Sequence, residues 1–232
     1  MLGPVLDKIF DDYKFSLRLP SPWNGQDSSG RFTFDYRNVK SPYIGDGYIE
    51  FYIFGELVHA DHRCALVPDE MTFINSEKFS QFVVSESAAT CTLNNFMASP
   101  IGRIELNTDK VNQLFYRDDL RLDTDFIFDY MPVFRNTIGK KSLQMVLNTE
   151  NIKVLFGQFD SDVILEYDLI VEFFEAASKE SLIKDKFNMI TTLDLRTEGD
   201  IVFINLLNMK VDSETYGEKT KPLTNGMDLS SN

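Results

Sequence analysis

The densest collection of chemistry-bearing side chains is His59-Ala-Asp-His62-Arg-Cys64, two imidazoles, a carboxylate and a thiol, all able to bind metal. Its spacing matches no standard zinc knuckle and no second ligand pair follows, so a solvated loop is expected and no metal is assigned. These are the only two histidines, so a nucleophilic triad would have to be built there. Neither a Gly-x-Ser-x-Gly turn nor a phosphate-cradling glycine loop occurs. Carboxylate pairs such as Asp118-Asp119 and Asp160/Asp162 are frequent, but an acidic surface makes them by chance, and Asp-Ser-Asp lacks the remaining calcium-loop positions. No catalytic residue is assigned, no cofactor is expected, and the chain is read as not an enzyme.

The unexplained chemistry is apolar: 20 Phe, 9 Tyr and 1 Trp in 232 residues. Two kinds of element must position it. Ser85 can accept an orphan amide hydrogen bond as a helix N-cap, and Glu86 suits the positive helix end. From there Ala88/Ala89, Thr92/Leu93 and Phe96/Met97 repeat at three-to-four spacing until Pro100 and Gly102 stop the helix. Arg103 to Asp212 reads as strands between polar turns. Leu120/Leu122 and Phe126/Phe128/Tyr130 alternate with charged residues, and Leu143, Met145 and Leu147 precede Asn148-Thr149-Glu150. Val163, Leu165, Tyr167, Leu169, Val171 and Phe173 form one face of a twelve-residue alternation, longer than the usual strand of about five or six. Phe187–Leu195 and Ile201–Val211 follow, joined by a turn at Thr197-Glu198-Gly199-Asp200.

Upstream, Leu2, Val5, Leu6, Ile9, Phe10 and Tyr13 make one apolar stripe at helical period, a short amphipathic helix docked on a core. Leu19 to Gly30, dense in turn formers, is expected to be a loop. Phe32, Phe34 and Tyr36 alternate as a half-buried strand, Tyr48 to Val58 follows as one long strand, and Gln81-Phe82-Val83-Val84 is a short strand candidate. The fold class expected is α+β: a long, highly curved antiparallel sheet, a partial barrel, wrapped on a single helix, with an N-terminal helix and further strands before it.

Composition sets the outer bounds. With 43% hydrophobic and 25% charged residues the chain is an ordinary folded protein. No apolar run reaches the roughly 18 residues of a spanning helix. A net charge of −13 disfavours nucleic acid and anionic lipid surfaces. Cys64 and Cys91 are an even count compatible with one disulfide and too few for a disulfide-stapled scaffold. The opening Met-Leu-Gly-Pro-Val-Leu-Asp-Lys lacks a basic n-region and a long apolar h-region, so no signal peptide is expected in it, and no Asn-x-Ser/Thr sequon occurs. The aromatic-rich strands and the Ala/Thr/Leu/Phe/Met stripe present more apolar surface than one two-layer core needs. That excess calls for a partner: another part of a larger fold, or an elongated apolar ligand.

Phe34-Asp35-Tyr36-Arg37-Asn38-Val39-Lys40-Ser41-Pro42, leading to Gly47-Tyr48-Ile49-Glu50-Phe51-Tyr52-Ile53-Phe54-Gly55-Glu56-Leu57, resembles the central segment of the bactericidal/permeability-increasing and lipopolysaccharide-binding protein family, of the tubular lipid-binding superfamily. The likeness continues through Phe82-Val83-Val84-Ser85-Glu86 and the helix to Met97, and spans roughly Phe32 to Val211. It implies barrels made of a long twisted sheet on a helix, each with an apolar pocket for phospholipid tails. On that reading residues 1–58 hold the end of a first-barrel helix and central-sheet strands, 59–218 an incomplete C-terminal barrel, and 219–232 a polar disordered tail. A first barrel and a closing helix and strand have no counterpart, as in a fragment, so the packing partner is a missing barrel or a second copy.

The resemblance further implies lipid binding or transfer of a phospholipid or other acyl lipid, with Ala88, Thr92, Leu93, Phe96 and Met97 facing Leu143, Met145, Leu165, Tyr167 and Leu169 across the pocket. Peripheral membrane contact and an extracellular or secretory-pathway location follow from the family alone. Its cationic tip for lipopolysaccharide is not matched in this acidic chain, and endotoxin binding is not carried over. The family's own disulfide has no counterpart, so Cys64 and Cys91, if paired, are a local feature. The alternative function is a non-enzymatic protein-interaction module whose groove is filled by its own side chains.

Overall fold

The computed structural model describes residues 16–21, 25–45, 47–59, 64, 83–125, 139–157, 162–198 and 201–216. The expected N-terminal helix, the Phe126/Phe128/Tyr130 strand and the polar tail lie outside them. The described part is α+β and mostly strand, in ten strands and two helices.

The described residues of the stretch from Leu19 to Gly30 are strand and not loop. β1 (Ser16–Ser21) and β2 (Gly25–Phe34) form an antiparallel hairpin through it, with Leu17 opposite Phe32 and Leu19 opposite Gly30. The register slips between Leu19 and Ser21, at Pro20, which has no N–H to give to a ladder and is tolerated on an edge strand. On its other side β2 pairs with β5 (Leu57–His59), setting Phe32 opposite His59 and Phe34 opposite Leu57. Phe32 is 0% exposed.

Tyr48 to Val58 is likewise not one strand. β3 (Asn38–Ile44) and β4 (Ile49–Ile53) form a two-stranded antiparallel sheet, and the chain breaks at Gly55, whose φ of +67° favours glycine. Backbone bonds continue across the break: Phe54 N–H donates to Arg37 O, Gly55 N–H to Asp35 O, and Asp35 N–H to Glu56 O. Val83 and Val84 are exposed and outside any strand.

α1 (Glu86–Ala98) starts where its cap dictates, with Ser85 in extended conformation and its hydroxyl accepting from Ala88 N–H. At the other end Ser99 N–H donates to Phe96 O. Gly102 then crosses the last turn so closely that a Cβ there would stand 2.2 Å from Met97 O. Short β6 (Ile104–Leu106) leads into a second helix, α2 (Thr108–Phe115), inside the stretch from Arg103 that was expected to hold strands alone. Its signals are local: the Asn107 side chain accepts from Lys110 N–H, Asp109 stands in the first turn, and Tyr116 ends it in the left-handed conformation, φ 51°.

β7 (Leu143–Phe156), β8 (Asp162–Glu175), β9 (Ser181–Glu198) and β10 (Ile201–Tyr216) are long strands, joined with β6 in a five-stranded antiparallel sheet of order β10-β9-β8-β7-β6. The chain divides into two compact units. The first draws on Met1–Gly102, Asn151–Glu166 and Thr191–Asn208, and buries Phe32, Val58, Cys91, Ile101, Ile152, Val154 and Val163. The second draws on Arg103–Glu150, Tyr167–Ile190 and Met209–Asn232. Its core cluster is Leu122, Leu143 and Ile183, with Met145, Phe173 and Leu182 packed against it.

Candidate functional site

In the first unit α1 is held mainly by polar groups. Along one side Glu86, Thr90 and Asn94 recur every four residues and meet alternate amides of β7. Phe156 N–H donates to Glu86 Oε1 at 2.7 Å, Val154 N–H to Thr90 Oγ1 at 2.9 Å, and Ile152 N–H to Asn94 Oδ1 at 2.9 Å. Asn94 Nδ2 returns a bond to Ile152 O at 2.6 Å. The match is geometric, since four helical residues rise about 6.0 Å and two strand residues about 6.6–6.8 Å. β6 covers β7 only opposite Met145 to Leu147, so the helix supplies partners for edge amides that β6 does not reach.

The opposite side of α1 grips β5. Leu57 N–H donates to Thr92 Oγ1 at 3.2 Å, and Asn95 Nδ2 donates to Leu57 O at 2.9 Å. Phe96 stacks on Phe32 with ring centroids 5.7 Å apart. Cys91 is bonded to Cys64, a disulfide across a sequence separation of 27. The buried residues of α1 are accordingly Thr90, Cys91 and Asn95. Ala88, Leu93 and Met97 are only half-buried.

Beside the disulfide sits Glu56, 5% exposed. Burial pushes its carboxyl above the ordinary carboxylate value, a hydrogen bond with the Cys64 backbone opposes this, and nearby Asp35 adds to the rise while Arg37 counters it. Asp35 is itself clasped by the Arg37 guanidinium, Nη2 to Oδ2 at 2.7 Å. Glu56, Cys64 and Cys91 bring their ligand atoms within 4.8 Å of one another, but the two sulfurs are spent on each other and offer no thiolate pair to a metal. His59 is not in a solvated loop: it ends β5 with its ring 5.4 Å from that of Phe32. His62 lies outside the described residues.

The residues expected to line a pocket fall in both units. Ala88, Thr92, Leu93, Phe96, Met97 and Leu165 belong to the first, where Thr92 and Phe96 are engaged with β5 and β2 and Leu165 is half-buried in β8. Leu143, Met145, Tyr167 and Leu169 belong to the second. There Leu143 is 2% exposed in the core cluster and Met145 packs on that cluster, while Tyr167 and Leu169 are half-buried. The polar grip of Glu86, Thr90, Asn94 and Asn95 was missed by sequence reasoning, which followed only the apolar stripe; the Glu-x3-Thr-x3-Asn spacing was its available signal. Among the described residues no helix is long and apolar enough to cross a membrane.

No family model matches the chain, and no curated protein matches it. Among solved structures it is similar to a crystal structure of lipopolysaccharide binding protein, at 15% sequence identity and a TM-score of 0.39, over 80% of this chain and 38% of that one. The chain thus spans well under half the length of that structure, and the likeness is a distant one at the level of fold.

Proposed function

We propose that the chain is a non-enzymatic lipid-binding or lipid-transfer protein that takes up the acyl chains of a phospholipid or another acyl lipid. The observation that carries the reading is the inverted burial of α1. An amphipathic helix ordinarily docks by its apolar stripe. Here hydrogen bonds and a disulfide bring Thr90, Cys91 and Asn95 inside, while Leu93 and Met97 stay half-buried. In β8 the buried residues are Val163 and Asp168, one apolar and one charged, and Leu165, Tyr167 and Leu169 stay half-buried. Apolar surface held in place without being consumed by packing is available to a guest, at about 0.8 kcal/mol per methylene covered.

The net charge of −13 favours zwitterionic or neutral lipids. The sequence resemblance supports the choice of lipid over other apolar ligands. The disulfide fits an oxidising compartment, extracellular or secretory. A second reading, an interaction module filled by its own side chains, is favoured by the second unit, where Leu143 and Met145 pack into the core cluster.

Solvent extraction and mass spectrometry of the purified protein are expected to recover an acyl lipid, and a fluorescent fatty-acyl probe to bind saturably. Leu93→Asp with Met97→Asp should weaken probe uptake at least tenfold while leaving the circular dichroism spectrum unchanged. A folded protein that repeatedly yields no lipid and takes up no probe overturns the proposal and leaves the second reading.

A further inference from the structure

Among the described residues the last strand of the five-stranded sheet is open on three sides. β10 ends the order β10-β9-β8-β7-β6, so one edge has no strand beside it among the described residues. Its faces are open too: Ile201 is 60% exposed, Val202 60%, Phe203 42%, Ile204 65%, Leu206 59% and Leu207 56%. Successive side chains of a strand point to opposite faces, so exposure of consecutive residues means that neither face is covered. From Ile201 to Met209 the strand carries no charged residue and no proline. Exposed edges of natural sheets are ordinarily guarded by such residues, because an open ladder of amides and carbonyls pairs with any similar strand it meets.

We propose that this strand is the surface through which two copies of the chain associate, β10 lying antiparallel to the β10 of its twofold mate. An antiparallel strand pair is self-complementary under a twofold axis, which closes the assembly at two. Centred on Ile204, the pairing sets Ile201 opposite Leu207 and Val202 opposite Leu206, apolar on apolar, and Phe203 opposite Asn205, with Ile204 against its own copy. Six side chains each about half exposed present on the order of 700 Å² over the two faces of the strand, and pairing at the edge covers the flank of each of them together with the open ladder of amides and carbonyls. Charge argues for the same site. Two chains of net charge −13 repel each other at most approaches, and an uncharged stretch of strand is where contact costs least. Salt screens that repulsion, so this association strengthens as ionic strength rises, whereas attraction to a basic partner would weaken. The inference does not depend on the lipid reading.

Sedimentation equilibrium of the full chain at about 50 mM and about 500 mM salt tests it, since the Debye length falls severalfold across that range. The expected result is a monomer–dimer equilibrium with a dissociation constant at least tenfold lower at high salt. Ile204→Lys and Leu206→Lys each alter an exposed side chain, so both should keep the circular dichroism spectrum and melting temperature while weakening dimerisation by a hundredfold or more. Each added lysine also lowers the net repulsion, so loss of the dimer cannot come from net charge. Leu114→Lys, on exposed α2, should leave dimerisation intact. A monomer at both salts, a dimer indifferent to both β10 variants, a dimer weakened by salt, or open-ended assembly would each overturn the proposal.

Discussion

Glu56 holds a carboxyl where a carboxylate is unwelcome. Its pKa is raised mainly by burial, so the folded state holds the proton more tightly than the unfolded chain does. Linkage then gives the sign: this group's contribution to stability is most favourable below its unfolded pKa and is lost as pH rises through the higher folded one. Glu56→Gln keeps an acceptor for the Cys64 backbone and carries no charge. It is expected to stabilise the protein at neutral pH, with the gap over the parent closing in urea titrations as pH falls through the carboxylate range. Asn94 is the opposite case, a neutral side chain satisfying both the N–H and the C=O of Ile152. Asn94→Ala leaves both unpaired, and chemical denaturation should show a loss of about 2–3 kcal/mol. The role of Glu56 has no signal in the sequence and that of Asn94 only its four-residue spacing from Thr90 and Glu86, because one depends on a cysteine brought in by folding and the other on a strand residue 58 positions away.

Elements were legible where local chemistry alone decides them. Ser85 and Glu86 announce the start of α1, Pro100 and Gly102 its end, and the alternation from Val163 to Phe174 matches β8 almost residue for residue. The β1–β2 hairpin was not, because its Ser, Gly, Pro and Asp residues read as turn formers; pairing on both sides of β2 overrides that weak preference. α2 was missed although Val111, Leu114 and Phe115 stand at helical spacing and Asn107 and Asp109 are ordinary start signals, because eight residues between strands give the period only about two turns in which to show. The polar grip of α1 was overlooked for a related reason: its partners in β5 and β7 lie far off in sequence, and only the apolar stripe repeats as a local pattern. Its covalent tether should matter accordingly. For a separation of 27 residues, Cys91→Ser paired with Cys64→Ser should cost about 3–4 kcal/mol in urea unfolding, and reducing agent should lower the parent to the variant's level.

At the scale of the molecule, a chain of −13 carries many apolar side chains that packing leaves half-covered. Such a protein gains stability from whatever covers them. A neutral or zwitterionic lipid at about a hundred times its dissociation constant should add about 2.7 kcal/mol, read as a rise in melting temperature that grows with the logarithm of lipid concentration. No sequence pattern announced the division into two units, because neither is a contiguous stretch. β7, β8, β9 and β10 each give one portion to the first unit and one to the second. No single cut in the gene can therefore release either unit intact. Shortening the chain from its C-terminal side removes strand from the second unit as far as Met209 and then from the first, from Asn208 back to Thr191, and recombination at one junction cannot trade either for a foreign module.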